Sequence, residues 1–245
     1  MKSNPAHRMR PRASRRILVL WGLLQAGSGY AVDLQGSLGV STDNVFRGLT
    51  QSQSDPSAQA DGYLTALHWF GGLATESVKR QGDVSTGAEV IGYLGYQQLL
   101  SENWSAALSV RHYDYPGNRY RSLYHYDELS ATISWHQQLL LELIASPNTF
   151  ASSASGYDYG RGSAFAAELS GRQPLPYGFS VDAGIGFYDL RQEVGAGYAY
   201  WSAGLGKQWR YWQLTVRYIG TNAEARALFG TLAVDRVVAS AVWLF

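Results

Sequence analysis

The stretch Phe179-Ser180-Val181-Asp182-Ala183-Gly184-Ile185-Gly186-Phe187-Tyr188 alternates an apolar residue with a polar or small one almost without exception. Successive side chains of a β-strand point to opposite faces, so this spacing makes a strand with one apolar and one polar side. Trp212, Leu214, Val216 and Tyr218 against Gln213, Thr215 and Arg217 repeat the pattern. Reading outward from these two segments, the same period recurs along the chain in about twelve stretches of about ten residues, the length of a tilted membrane-crossing strand. They begin near Leu34, Ser57, Gly72, Val84, Trp104, Leu123, Gln138, Gly162, Gly178, Tyr198, Tyr211 and Ala233.

No stretch after the first thirty-one residues is apolar enough for a membrane helix, mean hydropathy is slightly polar, and Gly, Tyr and Trp are abundant. A membrane barrel has this composition, because only every second residue meets lipid. Within a bilayer only helices and closed barrels satisfy every backbone hydrogen bond. The expected fold class is therefore all-β, a transmembrane antiparallel up-and-down β-barrel of about twelve strands. An even count returns both ends to one side of the membrane.

Residues 1–31 read differently. Lys2, Arg8, Arg10, Arg12, Arg15 and Arg16 precede the apolar run Ile17 to Leu24, and Gly29-Tyr30-Ala31 places small residues where a signal peptidase requires them. The run is too short to cross a bilayer, so 1–31 is expected to be a cleaved signal peptide and 32–245 the barrel. Cleavage after Ala31 would remove six basic residues and no acidic one, turning the net charge of +1 into −5. A mildly acidic chain without a basic stripe excludes nucleic acid as an expected partner. With no cysteine, disulfides and thiolate metal sites are excluded.

The connections alternate in length. Tight ones fall at Phe70-Gly71, Ser101 to Asn103, His136-Gln137, Pro174 to Tyr177 and Arg210; longer polar ones span Asn44 to Pro56, Pro116 to Ser122, Asn148 to Arg161 and Asn222 to Thr231. Links around Gln81 and Glu193 are intermediate. Outer-membrane barrels carry short turns in the periplasm and long loops outside. Trp69, Trp104, Trp135, Trp209, Trp212 and Trp243 lie beside the short turns or the C-terminus and, with Phe245, are expected to form a girdle at the periplasmic headgroups. Tyr113, Tyr115, Tyr124, Tyr126, Tyr157, Tyr159, Tyr188 and Tyr198 flank the long loops and suggest a second girdle. The last segment ends on Phe245 after Val237, Ala239, Ala241 and Trp243 on one face, a terminal strand of the kind the barrel-assembly machinery of Gram-negative bacteria accepts.

Ser41-Thr42-Asp43-Asn44-Val45-Phe46-Arg47-Gly48-Leu49-Thr50-Gln51, followed by Asp55-Pro56-Ser57-Ala58-Gln59, resembles the opening signature of the Gcw-chp family of TorF-like outer-membrane porins. Gly87-Ala88-Glu89 and Tyr115-Pro116-Gly117 are similar to that family as well. Asn44 stands where the family usually has an aromatic, and Thr50 where it has Ser. The resemblance implies an outer-membrane channel.

If the apolar faces meet lipid, the opposite faces carry Asp43, Arg47, Asp61, Glu89, Arg111, Glu128, Glu142, Glu168, Arg172, Asp182, Arg217 and Arg236. An Arg on the lipid face at mid-membrane would cost about 2–4 kcal/mol, which favours the lumen for all of them. The expected activity is passive diffusion of small polar solutes through a narrow, mixed-charge lumen. Two alternatives stand: a lipid-modifying barrel enzyme, and a structural or adhesive barrel with a filled lumen. For the first, only His112 with Asp114 and His125 with Asp127 and Ser130 merit attention; Ser130 lies at an odd offset and so on the other face. His68 and His136 sit beside Trp69 and Trp135, where a girdle role suffices. No cofactor, metal or catalytic residue is expected. The expected partners are outer-membrane lipid, the assembly machinery and the solute.

Overall fold

The computed structural model describes residues 32–79, 87–117, 124–152 and 159–245, so the expected signal peptide lies outside the described residues. Barrel strand β1 (Asp33–Ser41) is followed by two short strands, β2 (Val45–Phe46) and β3 (Leu49–Thr50). Eleven further barrel strands follow: β4 (Ser57–Ala66), β5 (Trp69–Val78), β6 (Gly87–Leu99), β7 (Trp104–Asp114), β8 (Tyr126–Trp135), β9 (Leu139–Ser152), β10 (Tyr159–Pro174), β11 (Phe179–Leu190), β12 (Ala196–Trp209), β13 (Trp212–Thr221) and β14 (Arg236–Leu244). Apart from β2 and β3, each strand pairs antiparallel with two neighbours and the ring closes β1 against β14. The barrel thus has twelve strands. No described helix is long and apolar enough to cross a membrane.

The closing pair runs from Ser41↔Ser240 to Ser37↔Leu244 and continues into Phe245. Phe245 and Gly36 exchange backbone hydrogen bonds at 2.9 and 3.0 Å. A Cβ at Gly36 would stand 2.6 Å from the Phe245 ring, so the glycine makes room for the aromatic that seals the seam.

The faces are inverted relative to a water-soluble domain. Leu34, Leu73, Leu205 and Val237 are 62–72% exposed on the outside, whereas Glu128, Ser130 and Gln213 are 1% exposed inside. Such a band of exposed apolar side chains is stable only against hydrocarbon, which makes this an outer-membrane barrel. The six tryptophans Trp69, Trp104, Trp135, Trp209, Trp212 and Trp243, with Phe245, are all exposed at the end bearing the short turns. At one of those turns, His136-Gln137, both residues take positive φ (49° and 56°), the geometry a two-residue hairpin needs to match strand twist.

Four expectations need correction. The first short turn is Leu67-His68 rather than Phe70-Gly71, because Trp69 already pairs with Ala66 and Phe70 already points inward onto Gly95. The stretch from Asn148 is not all loop: β9 runs to Ser152 and β10 starts at Tyr159, lengthening the hairpin beyond the expected start at Gly162. The polar links near Glu193 and after Asn222 hold helices α1 (Arg191–Val194) and α2 (Ala223–Phe229), the second capped by Asn222 accepting from Ala225 N at 3.2 Å. Finally, Tyr113, Tyr115, Tyr126, Tyr188 and Tyr198 form no outer girdle. They are at most 9% exposed and belong to buried clusters. Parity explains it, since Tyr113 lies two residues from Arg111 and Tyr126 two from Glu128, and residues two apart share a face.

Candidate functional site

The connection between β1 and β4 folds into the barrel. Its β2 and β3 pair as Val45↔Thr50 and Phe46↔Leu49, leaving Arg47-Gly48 as a two-residue turn at the tip. Both turn residues have positive φ, 47° and 82°, as a type I′ turn demands. Gly48 is obligatory for a second reason: a Cβ there would lie 2.6 Å from Thr221 Cγ2 and 2.8 Å from Tyr200 Cβ. Arg47 is not a residue that favours this conformation, so its surroundings must hold it there.

Those surroundings come from the opposite side of the lumen. Arg47 Nη1 stands 2.8 Å from Glu128 Oε1 of β8, and its Nε donates to Glu168 Oε1 of β10 at 3.4 Å. The guanidinium stacks between Phe46 at 4.4 Å and Tyr188 of β11 at 4.5 Å. Tyr198 of β12 donates its hydroxyl to the Arg47 carbonyl at 3.0 Å. Phe46 meets Tyr113 of β7, whose ring stacks on Tyr126 with centroids 4.3 Å apart. Neighbours complete the shell: Tyr113 donates to Glu128 at 3.0 Å, Tyr200 to Glu168 at 2.6 Å, and Arg111 to Glu142 at 2.6 Å. The tip is thus bound to five strands that lie far from its own in sequence.

The neck of the hairpin is built on Asp43, which is 6% exposed. Its carboxylate accepts from Thr50 at 2.6 Å, Ser52 at 2.7 Å and Arg236 of β14 at 2.6 Å. Thr50 Oγ1 also accepts from the amides of Ser52 and Ser54, at 3.3 and 3.1 Å. A hydroxyl is all this position requires, which accounts for Thr standing in place of Ser. Asn44 donates from Nδ2 to the Ser77 carbonyl of β5 at 3.2 Å and so ties the neck to the wall. Asp55 meets Lys79 Nζ at 2.7 Å. The signature stretch Ser41 to Gln51 therefore encodes a clamped, inward-folded hairpin.

Of the twelve charged residues expected inside, Asp61, Glu89, Arg111, Glu128, Glu142, Glu168, Arg172, Asp182, Arg217 and Arg236 lie on inward faces of barrel strands. Asp43 and Arg47 belong to the hairpin instead. Arg217 reaches Asp182 at 2.7 Å, Tyr93 donates to Asp61 at 2.8 Å, and Arg172 donates to Ser180 at 2.9 Å. Glu128, not Asp127, faces inward, which resolves the register there. The reading missed Glu76 and Gln59, both buried and inward. Their parity with Asp61 on β4 and with Val78 on β5 could have revealed them.

The inner surface is uneven. On β7, β8 and β9 nearly every inward side chain is buried, whereas Asp182, Gly184, Ser202, Gly204, Thr215 and Arg217 on β11–β13 are half-buried, as are Ser240 and Ser37 on β14 and β1. A cavity of about 200 Å³ lies there beside the hairpin, reached by Arg47, Glu76, Glu142, Arg217 and Ser240.

Neither His112 nor His125 meets Ser130. His112 Nδ1 meets Asp127 Oδ1 at 2.7 Å on the outer face, with Asn148 donating to Asp127 at 2.7 Å, while Ser130 points inward and bonds Ser109 at 2.7 Å. Arg161 lies on His125 and on the carbonyl of Asn148. Among the described residues no three His, Asp or Glu gather as metal ligands.

Solved structures share this architecture. The KdgM porin superposes with a TM-score of 0.52 at 11% identity, covering 86% of this chain and 99% of its own. An outer membrane channel from Pseudomonas putida F1 gives 0.53 at 14%, with 90% and 99% covered, and the Pseudomonas putida toluene transporter TodX 0.50 at 8%, with 91% and 92%. At such identities the likeness is one of fold. No curated protein matches the chain. Residues 25–245 match the model described as bacterial protein of unknown function (Gcw_chp), and the chain belongs to that family.

Proposed function

We propose that the barrel is a passive outer-membrane channel for small polar solutes, narrowed by the hairpin of residues 42–56. One observation carries the reading: the hairpin leans through Arg47 on Glu128 of β8 and Glu168 of β10, and half-buried, small or polar inward residues remain on β11–β14 and β1. A chain that needed only a filled lumen would have no reason to place Gly184, Gly204, Ser202 and Ser240 along one side. Twelve strands enclose more space than side chains alone fill in an eight-stranded barrel, and less than a sixteen-stranded porin leaves open. The lumen charges screen the solute; the tryptophans and Phe245 anchor the barrel in lipid, and the β14 seam is the handle for assembly machinery. This reading assigns no part to a cofactor or catalytic group.

Planar-bilayer recording of the purified barrel tests this. Small, discrete conductance steps are expected, together with swelling of liposomes in small sugars or amino acids. A barrel that folds yet gives neither steps nor swelling would sink the channel and favour a sealed structural barrel.

A further inference from the structure

We infer that the pathway prefers cations to anions, and that the inward row Gln59, Glu76 and Glu89 is a main source of that preference. The inference rests on the channel reading. Adding Glu76 to the seven acidic residues foreseen inside makes eight carboxylates against five arginines, an excess of three negative charges among the described residues. Four of the carboxylates stand in direct cross-strand register, Glu76 opposite Glu89 on β5 and β6, and Glu142 opposite Glu168 on β9 and β10. Like charges placed opposite each other oppose folding, so positive charge must gather near them. Arg47 and Arg111 serve Glu168 and Glu142. Of the other pair, Glu76 lines the cavity beside Gln59, and Glu89 lies buried behind it, accepting from Tyr115 at 2.6 Å.

Gln59 is the second, independent observation. It sits opposite Glu76 in register, is 5% exposed, and lines the same cavity as Glu76. Neither its Oε1 nor its Nε2 has a hydrogen-bond partner. A buried amide in that state is costly unless something visits it. Its carbonyl oxygen and the neighbouring carboxylates offer acceptor oxygens to a partly hydrated monovalent cation or a primary ammonium group. Rings of Asp and Glu act in this way in cation-selective pores, and low-dielectric walls focus their field along the path.

The test is the reversal potential of single channels in a potassium chloride gradient of about tenfold, where a potassium-to-chloride permeability ratio of about 5 or more is expected. Glu76→Gln should lower the ratio at least about twofold while Arg217→Gln raises it, since one removes and the other adds to the negative excess. Acidifying the wild-type barrel should move its potential toward zero, an arm that needs no variant to fold. Open channels whose potential is zero or of chloride sign would overturn the selectivity and leave the channel standing. Absence of any conductance would overturn both.

Discussion

The inner surfaces of β8 and β13 are built from the same period-two alternation and end up in opposite states. On β8, Tyr126, Glu128, Ser130, Thr132 and Ser134 are all buried. On β13, Gln213 and Thr221 are buried as well, but Thr215, Arg217 and Ile219 between them are half-buried although equally inward. The difference is not in residue polarity. On the β8 side, serines pair across strands, Ser105 with Ser134 and Ser109 with Ser130, both at 2.7 Å, and the hairpin tip covers what remains. On β13 a hydroxyl pair is made too, Thr215 with Ser240 at 2.6 Å, but the tip reaches this strand only at its end, where Gly48 packs on Thr221. A single inward-folded connection therefore leaves the inner surface with a packed half and a less filled half.

The largest effect should follow from releasing the tip. Arg47→Ala leaves the buried Glu128 with only Tyr113 and the more distant Arg111, 3.8 Å away, and should cost about 3 kcal/mol. It should also raise unit conductance, since the packed half opens. The temperature at which the unboiled barrel loses its fast electrophoretic mobility reads the first quantity, and bilayer recording the second. Combining it with Glu128→Gln should return much of the stability but keep the higher conductance; if both revert together, the hairpin is not what separates the two halves.

Gly48→Ala comes next. Its Cβ would collide with Thr221 and Tyr200 in a backbone conformation unfavourable to alanine, at a cost of about 1–3 kcal/mol. Conductance should rise less than in Arg47→Ala, because the guanidinium clasp remains.

Paired substitutions on the two walls sharpen the contrast further. Thr215→Trp should cut conductance by about half or more with little change in melting, if the solute passes beside β13. Ser130→Ala should leave conductance alone and lose about 1 kcal/mol, the worth of its hydrogen bond with Ser109. Equal conductance changes at both positions would erase the distinction between the walls.

The smallest effect lies in the extracellular roof. Burial raises the carboxyl of Glu193 in α1 above the ordinary carboxylate range, against the lowering supplied by its hydrogen bond from Thr149. A raised folded value means that the neutral form is favoured on folding. Its contribution is present at low pH and is lost as pH rises through that value. Glu193→Gln keeps an acceptor for Thr149 and removes the charge. Melting of this variant and wild type should coincide near pH ~4 and diverge in favour of the variant near pH ~8. A constant offset across that range would show that Glu193 does not titrate in the roof.

How far these features were legible depends on whether parity alone decides them. Strand starts at Leu34, Ser57, Trp104, Gln138 and Gly178 fall within one residue of those observed, because alternation and turn chemistry are local. The inward facing of Arg111, Glu142, Asp182 and Arg217 follows from the same parity. Misreading the tyrosines came from sorting them by distance to loops and not by parity with the charges two residues away. Asp43 and Arg47 were assigned to the lumen by polarity, and they reach it by a different route, as parts of a connection. Nothing local in Asn44 to Pro56 distinguishes a loop that projects into water from one that folds inward.

The period-two pattern and the alternating link lengths by themselves determined a membrane barrel, its strand number and the sign of each face, since these depend on short-range geometry and on lipid lying outside. Only the tertiary structure decided where the first connection goes, which carboxylates clasp Arg47 and which wall is only half-buried. Those outcomes depend on Glu128, Glu168, Tyr188 and Tyr198, 81 to 151 residues along the chain from Arg47. No local pattern can anticipate that meeting, because closure of the barrel is what brings the two together.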